Sequence, residues 1–237
     1  MPNYVTSRCT VRGPADEVER FKAAAIRTAP EGHSDAGGLM LDFDAIIPMP
    51  ACLKDSEASS NAEMGAQMIL LRGERGPPFA DIYYFWSKRV RQELEMTGAD
   101  ASDVARTYLA KYPGVEAAGR ARLQRLLETG YVDWYPWAID NWGTKWGAFR
   151  FAVAAEDPFE FRFETAWSFP TPIFEKLASM FPALSFSCAT HDEGDNFSGI
   201  GSFNPRPGEA PFGIVEASDA IYEIAHGEPR PIYEDEV

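Results

Sequence analysis

From Phe159 to Thr165 the chain runs Phe-Glu-Phe-Arg-Phe-Glu-Thr, an unbroken alternation of large apolar and polar residues. Successive side chains of a strand point to opposite faces, so the three phenylalanines go to one side and Glu160, Arg162 and Glu164 to the other. A strand of this kind belongs to an antiparallel sheet with one packed and one wet face. The packed face needs apolar cover, and the neighbouring sequence offers it. Tyr4 to Val11 reads as a strand broken by Gly13-Pro14. A helix toward Ala29-Pro30 then follows from Pro14, the early acids Asp16, Glu17 and Glu19, and the one-sided Val18, Phe21, Ala25 and Ile26. Pro170 and Pro172 open a second helix, Ile173 to Phe181, before a strand from Leu184 to Thr190. The turn Glu193-Gly194-Asp195-Asn196 joins that strand to a hairpin partner, Phe197 to Phe203. Leu39 to Ile47, closed by Pro48-Met49-Pro50, and Phe149 to Val153 complete the predicted strands.

The middle of the chain has a different period. Ile82, Trp86, Val90 and Leu94 fall at steps of four, with Gly98 placed to stop that helix. Ser102 or Asp103 is positioned to cap the next, through Val104, Tyr108 and Leu109. After Pro113 a further helix runs from Val115 to Glu128, with Gly130 beyond its end. The reading is an α+β protein, a split βαβ sandwich whose antiparallel sheet carries helices on one face, interrupted by a helical insertion. Its parts are 1–61, the first βαβ half; 62–130, the insertion; 131–213, the second half with a tryptophan-rich segment and the terminal hairpin; and 214–237, an acidic segment.

Several blocks resemble the YubB-like ferredoxin-fold family of conjugative plasmids and phages. They are Met1-Pro2-Asn3 with Gly13-Pro14, Phe43-Asp44-Ala45-Ile46-Ile47-Pro48-Met49-Pro50 and Asn141-Trp142-Gly143-Thr144-Lys145-Trp146. Thr165-Ala166-Trp167-Ser168-Phe169-Pro170-Thr171-Pro172, Phe181-Pro182, Glu193-Gly194 and Phe197-Ser198-Gly199 complete the set. The resemblance spans residues 1–205 and implies a ferredoxin-like core and a mobile-element origin. It brings no catalytic residues, because the family's function is uncharacterised. Ferredoxin-like here names a fold: Cys9, Cys52 and Cys188 fall short of the four thiolates of an iron–sulfur cluster.

The same scattered cysteines argue against a disulfide framework and a structural zinc site, and favour a reducing compartment with buried structural thiols. No apolar run reaches the roughly 18 residues of a membrane span, and no signal peptide opens the chain, so a cytoplasmic, membrane-free protein is expected. Phosphate loops, GxSxG elbows and HExxH pairs are absent, and no catalytic residue, metal site or cofactor is predicted. Cys188 and His191 fall on opposite strand faces, and His191-Asp192-Glu193-Gly194-Asp195 reads as a solvated hairpin turn. Trp134, Trp137, Trp142, Trp146 and Trp167 place five of the six tryptophans within 34 residues. They read first as packing anchors. The alternative is an enzyme or small-ligand binder using a pocket between the sheet and the inserted helices, lined by Trp142, Lys145, Trp146 and Trp167.

Charge separates the remaining function classes. Residues 1–150 hold 20 acids and 18 bases, whereas 151–237 hold 16 acids and 4 bases, so a net of −12 out of −14 lies in the last third. A surface of that sign repels nucleic-acid phosphate, and the bases Lys88, Arg89, Arg91, Arg120, Arg122 and Arg125 of the insertion sit among acids. The expected role is therefore non-enzymatic: an accessory protein of a mobile element, binding a basic host protein through Glu209, Glu216, Asp219, Glu223, Glu228, Glu234, Asp235 and Glu236. Its sharper form is a DNA mimic that occupies the groove of a defence factor.

Overall fold

The computed structural model describes residues 3–73 and 87–231. In chain order its elements are β1 (Tyr4–Arg12), α1 (Ala15–Ala25), β2 (Ile26–Thr28), β3 (Leu39–Leu41), α2 (Phe43–Ile46), α3 (Ala51–Lys54), α4 (Ser60–Leu71), α5 (Ser87–Glu93), α6 (Ala101–Lys111), α7 (Pro113–Thr129) and α8 (Trp134–Trp142). There follow β4 (Phe149–Glu156), β5 (Phe159–Ala166), α9 (Thr171–Met180), β6 (Ser185–Asp192), β7 (Ser198–Phe203), β8 (Gly213–Val215) and α10 (Asp219–His226). Residues 1–48 and 138–237 form one compact unit and residues 49–137 another, the division falling inside α8.

In the first unit six strands pair in the order β4-β5-β1-β6-β7-β8, each with its neighbours antiparallel. β1-α1-β4-β5-α9-β6 is a ferredoxin-like core with β1 and β5 inside, and β7 and β8 extend it past β6. The strand expected over Leu39 to Ile47 is a correction: only Leu39–Leu41 is extended, and it pairs with β2 in a separate two-stranded sheet. The Asp42 carboxylate accepts from the amides of Asp44 and Ala45 at 3.0 and 3.2 Å. That N-cap turns Phe43–Ile46 into a helix despite its strand-like composition. The second core strand is therefore β4, and residues 1–61 are not a continuous half of the core.

Alternation makes the core. Phe159, Phe161 and Phe163 of β5 face inward with Cys9 and Val11 of β1, and Phe186 and Cys188 of β6. α1 contributes Phe21, in ring contact with Phe159, Phe161, Phe181 and Phe186. α9 contributes Ile173, Phe174 and Leu177. Cys9 and Cys188 lie directly opposite each other across the β1–β6 ladder. Both are buried, whereas Cys52 is exposed, so the expectation of buried thiols holds for two of the three.

The other face of the sheet carries a helix of its own. Arg162 donates to the carbonyl of His226 at 3.0 Å, and the Arg8 guanidinium lies against Gly227, which caps α10 at φ 76°. Two cations thus meet the negative end of α10. On its buried side Tyr222 stacks on His226 at 3.9 Å and meets His191 edge-on at 5.1 Å.

The second unit is helical. Met68, Ile69 and Leu70 of α4, Val104, Tyr108 and Leu109 of α6 and Leu123 of α7 share one cluster, into which Val90 of α5 is buried. Ile82 and Trp86 of the expected stripe lie outside the described residues. α7 ends at Gly130 as the sequence predicts, whereas α6 is capped by Asp100, two residues ahead of the expected Ser102 and three ahead of Asp103. α4 and α7 cross with glycine facing glycine: a Cβ on Gly119 would stand 2.2 Å from the carbonyl carbon of Gly65. Arg122 pairs with buried Asp133 at 2.6 Å, Arg120 with Glu116 at 2.8 Å, and Arg125 bonds the carbonyl of Val132 at 3.0 Å. These cations are used inside the unit rather than gathered into a stripe for nucleic acid.

Candidate functional site

The tryptophan-rich segment is built by α8 and the loop that follows it. Trp142, in the last turn of α8, donates its indole N–H to the carbonyl of Ile47 at 2.9 Å and meets Phe43 edge-on at 6.0 Å. Thr144 is buried and donates to the carbonyl of Ala166 at 2.7 Å, while Ser168 donates to the carbonyl of Gly143. These bonds bring two sequence-distant loops together. Lys145 then lies between two indoles, 4.8 Å from the Trp146 ring centre and 4.9 Å from that of Trp167. Trp167 is held at φ 70° by its own amide, which donates to the carbonyl of Asn3 at 2.9 Å, and 41% of its surface stays exposed.

Of the four residues of the predicted pocket, Trp142 and Trp146 line a cleft of about 460 Å³, whereas Lys145 and Trp167 stand outside it as a cation–aromatic sandwich. The rest of the lining comes from residues 4–44 and 147–149, including Tyr4, Met40, Phe43 and Phe149, and not from the helices of the insertion. His33 and Asp42 were missed by sequence reasoning because the first stands alone and the second sat in a predicted strand. His33 Nδ1 accepts from the Asp35 amide at 3.1 Å. The cleft is an apolar slot with a few polar groups, the general form of a small-molecule site. It brings together no nucleophile and base within hydrogen-bond reach.

The hairpin turn after β6 departs from its solvated reading. His191 and Asp192 are each only 1% exposed. Asp192 accepts from the amides of Gly194 and Asn196 at 3.1 and 3.2 Å and from the Asn196 side chain at 2.6 Å. His191 bonds Ser198 Oγ through Nδ1 at 2.9 Å and Asp195 through Nε2 at 3.0 Å. The connectivity is that of a nucleophile, base and orienting acid. Ser198 is wholly buried, however, and its oxygen already accepts from the Ser218 amide at 3.1 Å. The chain of bonds ties β6, β7 and the start of α10 together. Arg230 completes it, binding Asp195 and holding that carboxyl below its usual range. Burial pushes His226 down, with the charges of His191 and Arg162 adding to the effect. Among the described residues no group of three or more His, Cys, Asp or Glu side chains is placed to hold a metal ion.

The acidic residues divide by environment. Glu209 accepts from the Arg206 amide at 2.9 Å and the Ser185 hydroxyl at 2.8 Å, which keeps it below the usual carboxylate range. Asp219 pairs with Arg230 at 3.1 Å. Glu216, Glu223 and Glu228 are exposed. Glu234, Asp235 and Glu236 lie outside the described residues. Beside the acids, Ile214 and Val215 of β8 are about half exposed, and among the described residues no strand pairs with the outer edge of β8.

Residues 141–224 match a family model described as the ferredoxin-like domain in Api92-like protein. The match begins at the end of α8 and takes in β4 to β8 and most of α10. A crystal structure of a protein api92 from Yersinia pseudotuberculosis is similar at 9% identity and a TM-score of 0.41, over 92% of this chain and 99% of that one. No curated protein matches. Among the described residues no helix is long and apolar enough to cross a membrane.

Proposed function

We propose that this protein acts without catalysis, as an accessory factor that binds a basic protein through the acidic surface of β8 and α10. The observation that supports this reading is the exposure of Glu216, Glu223 and Glu228 around an open strand edge with exposed Ile214 and Val215. Arg230, the one base in residues 207–231, is committed to Asp195 and Asp219. Exposed carboxylates next to exposed apolar side chains suit a partner with basic and apolar residues interleaved. Glu209 and Asp219 belong to the same surface with their charge partly answered. The mobile-element setting rests on the YubB-like sequence blocks, and with it the sharper form in which the carboxylates stand in for DNA phosphates on a defence protein.

The test is capture of basic proteins from a host lysate by the wild type and by a Glu216→Gln, Glu223→Gln, Glu228→Gln variant, at low and high salt. The reading expects partners that the wild type retains at low salt, loses at high salt, and that the variant fails to hold. Equal recovery by both would overturn it. The cleft at Trp142 and Trp146 favours a second reading as a small-ligand site, with Lys145 and Trp167 outside the contact set. Quenching of indole fluorescence by a small aromatic ligand, abolished in Trp146→Ala, would support it.

A further inference from the structure

The sheet face that bears α10 is only partly covered, and beside the helix it forms a groove of about 650 Å³. Its floor is polar: Arg12 of β1, Ser187 of β6 and Ser202 of β7. Its flank is apolar, because Ile200 of β7 and Ile224 of α10 line it with 41% and 47% of their surfaces exposed. A volume of this size falls among ordinary small-molecule sites.

The charges in the groove are not equally satisfied. Glu160 is taken by Arg8 at 2.7 Å and by the Thr10 hydroxyl at 3.1 Å. Arg8 Nε is buried and makes no in-line hydrogen bond even to that carboxylate, so the contact is one of charge alone. Glu209 is turned to Ser185 and the Arg206 amide. Arg12 differs. Among the described residues its guanidinium makes one long bond, to Ser187 Oγ at 3.3 Å, and the carboxylate that feels its charge, Glu209, is held by other donors and makes no direct ion pair with it. Ser187 and Ser202 share a hydroxyl–hydroxyl bond of 2.8 Å, and Ser202 also meets the Glu209 carboxylate, so this pair supports Arg12 without offering the groove a spare hydroxyl donor. A guanidinium with free N–H groups matches a carboxylate or phosphate oxygen pair.

We propose that this groove binds a small amphiphilic anion, its carboxylate or phosphate head on the Arg12 guanidinium and its apolar body between Ile200 and Ile224. The site is separate from the tryptophan cleft, which opens among other residues, and it does not depend on the acidic surface binding a protein. Neutral amphiphiles lack the partner that Arg12 needs, and small inorganic anions leave both isoleucines wet.

Calorimetric titration with octanoate, octyl phosphate and octanol tests it on the full chain. Either anion is expected to bind more tightly than octanol, and the tighter of the two identifies the head group. Arg12→Gln should weaken the anion about tenfold to a hundredfold, the usual effect of deleting a charge-assisted bond. If Arg12→Gln disturbs the fold, Ile224→Asp carries the test, since it changes only an exposed position on α10 and sets a like charge against the ligand. It should abolish binding of both anions. Binding of octanol as tight as octanoate, an affinity unchanged in both variants, or no binding of either anion would overturn the proposal.

Discussion

Replacing Gly119 by alanine sets two well-measured tendencies against each other. In the interior of a helix alanine is favoured over glycine by about 1 kcal/mol, so by sequence alone Gly119→Ala in α7 should stabilise. The structure predicts the reverse sign. The added methyl would meet the carbonyl carbon of Gly65 at 2.2 Å, the amide nitrogen of Ala66 at 2.4 Å and Gly65 Cα at 2.7 Å, all backbone atoms of α4 that no rotamer change can move. Carbon contacts become ordinary only near about 3.5 Å, so the helices must part by roughly 1 Å. That opens a cluster in which Met68, Leu70 and Leu109 are fully or almost fully buried. Overpacking of this sort costs about 1–3 kcal/mol, enough to exceed the propensity gain. An internal control sits on the same helix: Gly114 is exposed with nothing within 4 Å of its would-be methyl. Gly114→Ala should therefore stabilise by up to about 1 kcal/mol. Thermal unfolding followed by far-ultraviolet circular dichroism resolves both, since 1 kcal/mol moves the midpoint by about 4–8 °C in a unit of this size. Gly65→Ala combined with Gly119→Ala should cost less than the sum of the singles, because the first already separates the helices. A Gly119→Ala protein as stable as the wild type would refute the contact.

Three further outcomes follow from the docking of α10 and from the thiols. The His226 base is depressed by burial and by His191 and Arg162, with Glu228 opposing, so the folded state favours its neutral form. Its contribution is complete above the ordinary imidazole value of about 6.5 and is lost as pH falls from there through the depressed folded value; Asp195 and Glu209, also depressed, lose theirs only in the lower carboxylate range. Melting temperature should decline from about pH 7 to 5.5 in the wild type and decline less in His226→Gln. Gly227→Ala forces a methyl to 2.7 Å from Arg8 Nη1 at φ 76°, and should loosen α10 by about 1–2 kcal/mol, visible as faster proteolysis after Gly227. With a disulfide reagent, Cys52 should react at once in the native protein, whereas Cys9 and Cys188 should wait for denaturant. Burial raises the Cys9 thiol, and Cys188 beside it adds to the effect. Immediate reaction of all three thiols would contradict the pairing of β1 with β6.

The parts of the fold that were legible in the sequence are those where one local pattern decides the outcome. β5 followed from alternation, α1 and α9 from prolines with one apolar face, and the turn between β6 and β7 from Glu193-Gly194-Asp195-Asn196. Leu39 to Ile47 was misread because a single side-chain cap, Asp42, outweighs the β-propensity of the residues after it. Residues 214–237 read only as an acidic segment, and the docking of α10 was hidden because the groups that dock it, Arg8, Arg162 and His191, come from strands far away in sequence. The burial of His191 and Asp192 was hidden for the same reason. In the tryptophan segment the residue types were informative, yet their grouping was not: a turn of backbone at Trp167 decides that Lys145 meets two indoles while Trp142 faces another way.

β1 sits between β5 and β6, paired from Tyr4 with Ala166 and from Arg12 with Ser185. During synthesis the first strand therefore emerges long before either neighbour exists. At about 5–20 residues per second, roughly 10 to 40 seconds separate the appearance of β1 from that of the end of β6. Over that interval Val5, Cys9 and Val11 have no sheet to join, whereas residues 49–137 have every contact of their own unit within reach. The ribosome thus delivers the helical unit first and the sheet last, and the interval makes the N-terminal strand the segment that a chaperone has most time to meet.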